Sequence, residues 1–287
     1  MKTSLKSPEP KSLTDYRQAK PESTWDQMRN DALNGGQLAY QEIKRQVVRD
    51  QRCLCAYCER RIANGTTDDE IDARKSEQTV EHFHPKSDCS GRINWTLHWP
   101  NLWGVCDGGS RMPPAGEPLD PDKFLPPLPE NLSCDQFKDR QIEIGELKPS
   151  PEGWILAPDE VPSFPRLFKY HSNGEIAVDV DRCDAWSPSQ NQHTDNRTLA
   201  AETIRHLNLN CLRLKRLRNI AWGQLEKAIK RERELSPGAK PYDVLLRLAR
   251  RSFPTDAWRP WTQFFSLIRF RLGEVAEKHL ESIDYNG

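Results

Sequence analysis

The spacing of the cysteines constrains this sequence more than any other feature. Cys55 and Cys58 form a Cys-x2-Cys pair, which lets two thiolates bind one tetrahedral Zn²⁺ at about 2.3 Å each. Two more thiols are needed to close the site. Cys106 and Cys134 are the candidates, although a long stretch of chain lies between them, and the alternative is a pair of buried free thiols. The remaining cysteines are interpreted as structural: Cys53, Cys89, Cys183 and Cys211.

The rest of the sequence suits a reducing compartment. The N-terminus has no apolar run that could act as a signal sequence, and no later stretch reaches membrane-spanning length, so we predict a cytoplasmic protein without a membrane partner. A disulfide framework is therefore disfavoured for the eight cysteines. Residues 53–140 have only short apolar stretches among turns and prolines, which indicates a unit organised by metal.

We predict an α+β fold that is mostly helical, with a zinc-pinned core, flanking helices and a β-hairpin. The predicted segments are an extended N-terminal arm over 1–24, a helical lead-in over 25–52, the zinc-knuckle core over 53–140, a loop-rich segment over 141–195 and a basic helical region over 196–287. The arm is predicted to be too polar to bury a core.

Local patterns predict individual elements. Apolar spacing from Trp25 to Arg52 predicts two helices with a break at Gly35-Gly36, and Asn173-Gly174 predicts a hairpin around 166–180. Helical spacing resumes at Asp195, with a bend near Asn208 and Asn210. Two last helices are predicted over Pro241–Phe253 and Trp258–Ser282, with Trp258 and Trp261 in the core.

Charge is unevenly distributed along a chain whose formal net charge is +0. The region from Arg205 to Arg271 is rich in Lys and Arg, whereas Val105 to Arg197 is rich in Asp and Glu. The basic residues fit either solvated helix faces or a phosphate-binding surface: 213, 215, 216, 218, 230, 231 and 233.

Two further motifs lie between the cysteine pairs. Val80-Glu81-His82-Phe83-His84-Pro85-Lys86-Ser87 is followed by Trp99-Pro100-Asn101-Leu102. The order Cys-x2-Cys, acid-His-x-x-Pro, Asn-Leu and Cys-acid-x-x-Lys resembles the HNH, or ββα-metal, nuclease family. More narrowly, CAYCERRI, VEHFHPKS, NLWGVCDGG and CDQFKD resemble the HNH component of bacterial Septu anti-phage systems and its retron-associated relatives. The resemblance covers roughly residues 50–140.

The resemblance implies a site for phosphodiester hydrolysis, which needs an activated water, a neutralised phosphate and a stabilised leaving oxygen. His82 matches the general base, and Glu81 and Asp135 match the positions that hold a catalytic Mg²⁺ or Mn²⁺. Asn101 matches the residue that ties down the loop presenting the base. Lys138 either contacts the scissile phosphate or caps a short helix. The zinc on the cysteines is expected to be structural.

The sequence departs from the family pattern in two places and leaves one choice open. The family more often has Asp where this chain has Glu81, and Asn or His where it has Asp135, so this pair carries extra negative charge. His84 is the alternative base, because alternate residues of a strand share a face. His98 is expected at the surface.

Three functions are compared. The first is a nuclease acting on DNA, tRNA or another RNA as the effector of an anti-phage system. The resemblance implies gating by an SMC/ABC-type ATPase as partner, with a retron reverse transcriptase and its RNA–DNA product as further partners. The second is a zinc-scaffolded module that binds nucleic acid without cutting it. The third is an adaptor that docks the ATPase, since this chain has no Gly-x4-Gly-Lys-Ser/Thr loop of its own.

Overall fold

The structure is a computed structural model that describes residues 1–88, 91–111, 128–256 and 259–287. Within these ranges the chain is α+β and mostly helical, as predicted. The helices are α1 (Lys11–Ala19), α2 (Trp25–Asn30), α3 (Gly36–Asp50), α4 (Asp68–Asp72), α5 (Asp135–Glu143), α6 (Val180–Asp184), α7 (Asn196–His206), α8 (Leu212–Leu235), α9 (Pro241–Ser252), α10 (Phe265–Leu272) and α11 (Glu274–Ser282). The strands are β1 (Gln78–His82), β2 (Leu102–Cys106), β3 (Phe168–Tyr170) and β4 (Ile176–Val178).

The N-terminal segment corrects the prediction of an extended, unburied arm. It forms α1, whose Leu13 and Tyr16 are buried against α3, and residues 1–4 are buried as well. Leu13 and Tyr16 are three residues apart and therefore share one helix face. The low average hydrophobicity of the segment hid these few well-placed apolar side chains.

The helical lead-in follows the predicted pattern. A capping box between Thr24 and Gln27 begins α2, and the break before α3 falls at Gly35, whose φ is +82°. Gly36 is required by close packing, because a Cβ there would lie 2.3 Å from the Met28 carbonyl oxygen. The break therefore lets α2 and α3 pack against each other.

The central sheet pairs β1 with β2 in antiparallel register, so that Glu81 lies opposite Trp103 and His82 opposite Leu102. Gln51, at the end of α3, is inserted against β2: its amide donates to the Gly104 carbonyl (2.6 Å) and accepts from the Gly104 N–H (2.7 Å). These bonds fix α3 behind the sheet. The strand β1 then ends at the residues expected to perform chemistry.

The knuckle is part of the main hydrophobic core. A single cluster of buried apolar residues runs from Cys53–Cys58 through β2 and the hairpin to α11. The metal-organised unit predicted from sequence is therefore surrounded by helices from the second half of the chain. Buried apolar surface and the cysteine cluster stabilise the same region.

The hairpin is confirmed, with β3 and β4 joined around Asn173-Gly174. Gly174 has φ +86°, and a Cβ on it would lie 1.9 Å from the Lys215 carbonyl oxygen of α8. Only glycine combines that backbone conformation with so close an approach. The turn residue thus serves both the hairpin and its packing on α8.

The C-terminal region is helical as expected, but one boundary was wrong. The predicted helix over Trp258–Ser282 is two helices, α10 and α11, interrupted at Gly273 with φ +62°. The first of them begins only at Phe265, because Phe264 has φ +57° and its N–H donates to the Glu59 carbonyl. Trp258 lies outside the described residues, whereas Trp261 is buried as predicted.

In the described ranges, no helix combines the length and the hydrophobicity needed to cross a bilayer.

Candidate metal centres and active site

Four thiols converge at the centre of the structure. The Sγ–Sγ distances are 3.9 Å for Cys55–Cys134, 3.6 Å for Cys58–Cys106 and 3.8 Å for Cys106–Cys134. Four sulfurs placed tetrahedrally at the zinc–sulfur distance would be about 3.8 Å apart. All four side chains are buried and free of disulfides. The arrangement therefore fits a closed zinc site, with Cys106 and Cys134 as its second pair.

Backbone contacts hold these thiols in position. The Cys55 N–H donates to the Arg60 carbonyl (2.8 Å), which closes the knuckle turn, and the Ala56 N–H donates to Gly104 of β2 (3.0 Å). Cys134 lies directly before α5, and its N–H donates to the Leu207 carbonyl (2.9 Å). The hydrogen bond to Leu207 holds Cys134 at the cluster although a long stretch of chain separates it from Cys106.

The other described cysteines lie outside the cluster. Cys53 donates to the Gly65 carbonyl (3.1 Å), and Cys183 donates to the Leu167 carbonyl (3.6 Å). Cys211 is also a buried free thiol, and Cys89 falls outside the described residues. Cys53 thus does not compete with Cys55 for the cluster.

A second centre lies where β1 meets α5. A cavity of about 410 Å³ is lined by residues from β1, α5 and the loop after β1: Val80, Glu81, His82, Pro85, Lys86, Ser87, Asp135, Asp139, Ile142 and Glu143. The structure thus brings Glu81, His82 and Asp135 to one cavity.

One ring nitrogen of His82 has a hydrogen-bond partner among the described residues, and the other has none. Its Nε2 lies 3.1 Å from the Thr96 carbonyl oxygen, which can only accept, so Nε2 carries the proton and Nδ1 is the basic nitrogen. The ring packs edge-on against Trp25, with 4.6 Å between centroids. Burial lowers the pKa of His82 to about 4, so the imidazole is neutral at pH 7. A neutral, oriented imidazole can accept a proton.

Glu81 is buried and held from two sides. The Tyr57 hydroxyl donates to its Oε1 (3.2 Å), and the Lys138 ammonium lies 2.9 Å from the same oxygen. Burial raises the pKa of Glu81 to about 8, with Asp139 and Asp135 adding to the rise and Lys138 opposing it. Tyr57 stands between two cysteine ligands, so the knuckle itself contacts this carboxylate.

Asp135 has an unsatisfied oxygen. Its Oδ1 is buried without a hydrogen-bond partner among the described residues, while Oδ2 accepts from the Gln136 amide (3.2 Å). Burial raises the pKa of Asp135 to about 7, and the charge at Cys106 adds to the rise. A buried carboxylate oxygen without a partner needs a cation or a proton. The residues present therefore fit a hard divalent cation.

Lys138 corrects an expectation. Its side chain is fully buried, and Nζ lies 2.9 Å from both Glu81 and Asp139, with the His82 and Phe83 carbonyls at 3.4 and 3.3 Å. These four oxygens enclose the ammonium inside the protein, where it is poorly placed to contact a substrate phosphate. The Lys138 side chain ties α5 to the end of β1.

Asn101 forms three hydrogen bonds with the backbone of the loop that follows β1. Its Oδ1 accepts from the His84 N–H (2.7 Å), and its amide donates to the His84 and Trp95 carbonyls, both at 2.9 Å. It thereby holds the chain two residues after His82 against the loop that contains Thr96.

His84 is not available as a base. Both ring nitrogens lie 2.7 Å from carboxylates, Nδ1 from Glu152 and Nε2 from Asp88, and the ring stacks on Trp95. Strand β1 also ends at His82, so the alternation that placed both histidines on one face does not extend to His84. His98 is half-buried, with its ring against Trp95.

Sequence reasoning missed four residues at this centre: Tyr57, Lys86, Asp139 and Glu143. Asp135, Asp139 and Glu143 are four residues apart and therefore share one face of α5, a spacing visible in the sequence. Lys86 appears in the quoted motif without an assigned role. For Tyr57 the sequence offered only its place between two candidate ligands.

The basic helix α8 is partly buried. Arg213 and Arg218, two of the candidate phosphate-binding positions, are only 1% and 2% exposed and lie in the interior. They are neither solvated nor accessible to a phosphate, whereas Lys230 is exposed. The surface interpretation is therefore wrong for these two arginines.

Comparison with known proteins identifies the family. The chain is 31% identical over 221 residues to a protein of Escherichia coli assigned as an HNH endonuclease of retron Ec83, which covers 76% of this chain and 78% of that protein. The chain belongs to the HNH endonuclease family. No protein-family model matches it. As an HNH endonuclease it is an enzyme that cleaves nucleic acid, and its β1–β2–α5 unit lies at the four-cysteine cluster.

Proposed function

We propose that this HNH endonuclease hydrolyses phosphodiester bonds with His82 as general base and with Glu81 and Asp135 holding a Mg²⁺ or Mn²⁺ ion. One observation carries the proposal: His82, with its basic Nδ1, and Asp135, whose Oδ1 has no hydrogen-bond partner among the described residues, line the same cavity. The four cysteines hold a structural Zn²⁺.

His82 removes the proton of the attacking water. The Thr96 carbonyl fixes the tautomer, and the lowered pKa keeps Nδ1 unprotonated at neutral pH. A divalent ion bound at Glu81 and Asp135 would neutralise phosphate charge and stabilise the leaving oxygen. Glu81 is kept in place by Tyr57 and Lys138, so those two residues and Asn101 act by positioning.

Lys86 is proposed to contact the substrate phosphate in place of Lys138. It is exposed and is the cation among the residues that line the cavity, and within the described ranges no carboxylate lies within 4.0 Å of its ammonium. Its carbonyl accepts from the Thr96 hydroxyl (3.3 Å). Thr96 therefore contacts both residues: His82 in the interior of the cavity and Lys86 on its rim.

Cleavage of plasmid DNA and of total tRNA, in Mg²⁺, Mn²⁺ or EDTA, tests the proposal. We expect metal-dependent products from the parent protein and a loss of about 10²–10⁴-fold with His82→Ala, the usual contribution of a general base. His98→Ala is the matched control, because His98 lies outside the cavity, and should cleave as the parent does.

Equal cleavage by the parent and by folded, zinc-loaded His82→Ala would contradict the assignment of the base. Binding without cleavage of any substrate would instead favour the zinc-scaffolded binding module or the ATPase-docking adaptor. The two substrates also decide between a DNase and an RNase.

We further propose that the protein is the effector of an anti-phage system. The relative's retron name supports a retron association, and the sequence resemblance to Septu components supports gating by an SMC/ABC-type ATPase. The test is to express the protein in bacteria together with the proposed SMC/ABC-type ATPase and to challenge the cells with phage. Protection that is lost with His82→Ala is the expected result, and protection by that variant would contradict it.

A further inference from the structure

Arg213, in the first turn of α8, is a buried cation that has no carboxylate partner in the part of the chain that the structure describes. It is 1% exposed, and Nη2 donates to the Ser133 hydroxyl (2.6 Å). Its Nε and Nη1 have no hydrogen-bond partner, and across the described ranges no carboxylate oxygen lies within 4.0 Å of the guanidinium. Arginine stays protonated in proteins, so this charge cannot be removed.

The guanidinium lies between the two chain segments that deliver Cys106 and Cys134. Ser133, which receives its hydrogen bond, directly precedes Cys134, and the Ser133 hydroxyl is 3.6 Å from Cys134 Sγ. On the other side, a Cβ on Gly109 would lie 2.6 Å from Arg213 Nε, so the side chain rests against the turn after Cys106. Glycine at position 109 leaves room for it.

The four cysteines supply the missing negative charge once a metal is bound. Four thiolates with one Zn²⁺ carry a net charge of −2, in a buried region where an isolated charge is strongly disfavoured. Burial by itself lowers the pKa of Arg213, whereas negative charge on Cys106, Cys211, Cys58 and Cys134 raises it. Arg60, which is also near Cys106, already pairs with Asp107 and Glu77.

We propose that Arg213 is the counter-cation of the zinc-loaded cysteine cluster, with its unpaired N–H groups directed at thiolate sulfur. It is a positioning residue that joins α8 to the cluster. The inference rests on zinc occupying the four cysteines and not on nuclease activity. It implies that docking of α8 and zinc binding stabilise each other.

The test measures zinc binding by the full-length protein. Zinc affinity is obtained by competition with a chromogenic chelator, and Co²⁺ substitution reports thiolate ligation through its charge-transfer absorption. We expect Arg213→Met to weaken zinc binding about 10–100-fold, the usual effect of removing a group that supports metal ligands. Arg213→Lys, which keeps the charge, should recover part of the loss.

Arg218→Met is the matched control. Arg218 is equally buried on the same helix, but its guanidinium donates to the Gly174 carbonyl (3.1 Å) of the hairpin. This variant should lose thermal stability while keeping the zinc affinity and Co²⁺ spectrum of the parent. A purely structural role for Arg213 would make the two variants alike.

Ser133→Ala provides a milder change if Arg213→Met does not fold. It removes the hydroxyl that orients the guanidinium and should accelerate zinc release several-fold. Unchanged zinc affinity in Arg213→Met, equal weakening by Arg218→Met, or unchanged zinc release in Ser133→Ala would each overturn the proposal. A parent protein that binds no zinc would overturn it together with the structural zinc, and cleavage assays would still report on the nuclease separately.

Discussion

The four-cysteine cluster and the cavity between β1 and α5 are adjacent but differ in their access to solvent. The cluster has four buried ligands with sulfur–sulfur distances of 3.6–3.9 Å among the measured pairs, which leaves no position for water. The cavity has two buried carboxylates, of Glu81 and Asp135, and a rim open to solvent, and the Oδ1 of Asp135 has no partner within the residues that the structure describes. Within the described ranges, the four cysteines are the one group of three or more metal-binding side chains whose ligand atoms all lie within 4.8 Å of one another. A structural metal needs a closed shell, whereas a catalytic one needs open positions.

The two centres share chain segments despite this difference. Tyr57, within the knuckle, donates to Glu81, and Asp135 directly follows the ligand Cys134. Because the two centres share these segments, we expect distortion of the cluster to displace carboxylates of the cavity.

The largest effect is expected from Cys58→Ala. Structural zinc contributes about 10–16 kcal/mol of binding free energy in zinc-finger peptides, which is as large as the whole stability of a typical domain, about 5–15 kcal/mol. We expect loss of zinc, of the cooperative thermal transition and of cleavage. Cys53→Ala removes a buried thiol outside the cluster and should keep the zinc. Zinc content and calorimetry check both, and a stable, zinc-free Cys58→Ala protein would contradict the prediction.

A smaller loss is expected from Asn101→Ala, which removes three hydrogen bonds to backbone groups. At about 0.5–1.5 kcal/mol each, the free energy of unfolding should fall by roughly 2–4 kcal/mol. Cleavage should fall as well, with zinc still bound, because His82 loses its support.

Asn101→Asp is the control for that result. It keeps the acceptor to the His84 N–H but turns a buried carboxylate oxygen towards the His84 and Trp95 carbonyls, so at neutral pH its stability should be at or below that of Asn101→Ala. Urea unfolding measures the three proteins. Equal stability of Asn101→Ala and the parent would show that the loop is held by other contacts.

Asp135→Asn is expected to raise stability while it removes activity. In Mg²⁺-free buffer the parent holds a buried carboxylate whose Oδ1 has no partner among the described residues, and an amide removes that charge. We expect a gain of about 0.5–2 kcal/mol in the free energy of unfolding, as at other sites where function costs stability. Thermal denaturation with and without Mg²⁺ checks this, and a destabilised variant would count against a cation site.

The smallest effect concerns Lys86→Ala in the His82→Ala background, in which the substrate stays intact. Loss of one phosphate contact should reduce the slope of log affinity against log salt by about 0.9 for duplex DNA or 0.7 for a single strand. Lys11→Ala, on α1, is the matched control, because Lys11 is exposed and does not line the cavity. Binding anisotropy over a salt series measures the slopes, and equal slopes for Lys86→Ala and its parent would remove Lys86 from the substrate contact.

The sequence predicted the four cysteine ligands but not the buried charged residues around the two centres. Cys55, Cys58, Cys106 and Cys134 were predicted and converge, because residue type and spacing directly reflect metal chemistry. The burial of Lys138 and Arg213 was not predictable in this way. A lysine or arginine on a helix has the same local pattern whether its charge meets solvent or a buried anion, and the anion comes from distant parts of the chain.

The N-terminal helix shows the same limit for the fold. Leu13 and Tyr16 are too few to lift the average hydrophobicity of residues 1–24, yet they suffice once α3 offers a complementary face. Elements with strong local signals, such as the Asn173-Gly174 turn and the Gly35-Gly36 break, were predicted correctly because their backbone conformations are set by the glycines themselves.

The adjacency of Cys134 and Asp135 has a consequence for how the enzyme matures. Cys134 is the residue directly before α5, and Asp135 is the first residue of that helix. If the four cysteines take up zinc as proposed, the metal would anchor the start of α5 and with it the Asp135 carboxylate. We therefore expect zinc uptake to precede formation of the cleavage site as the chain matures.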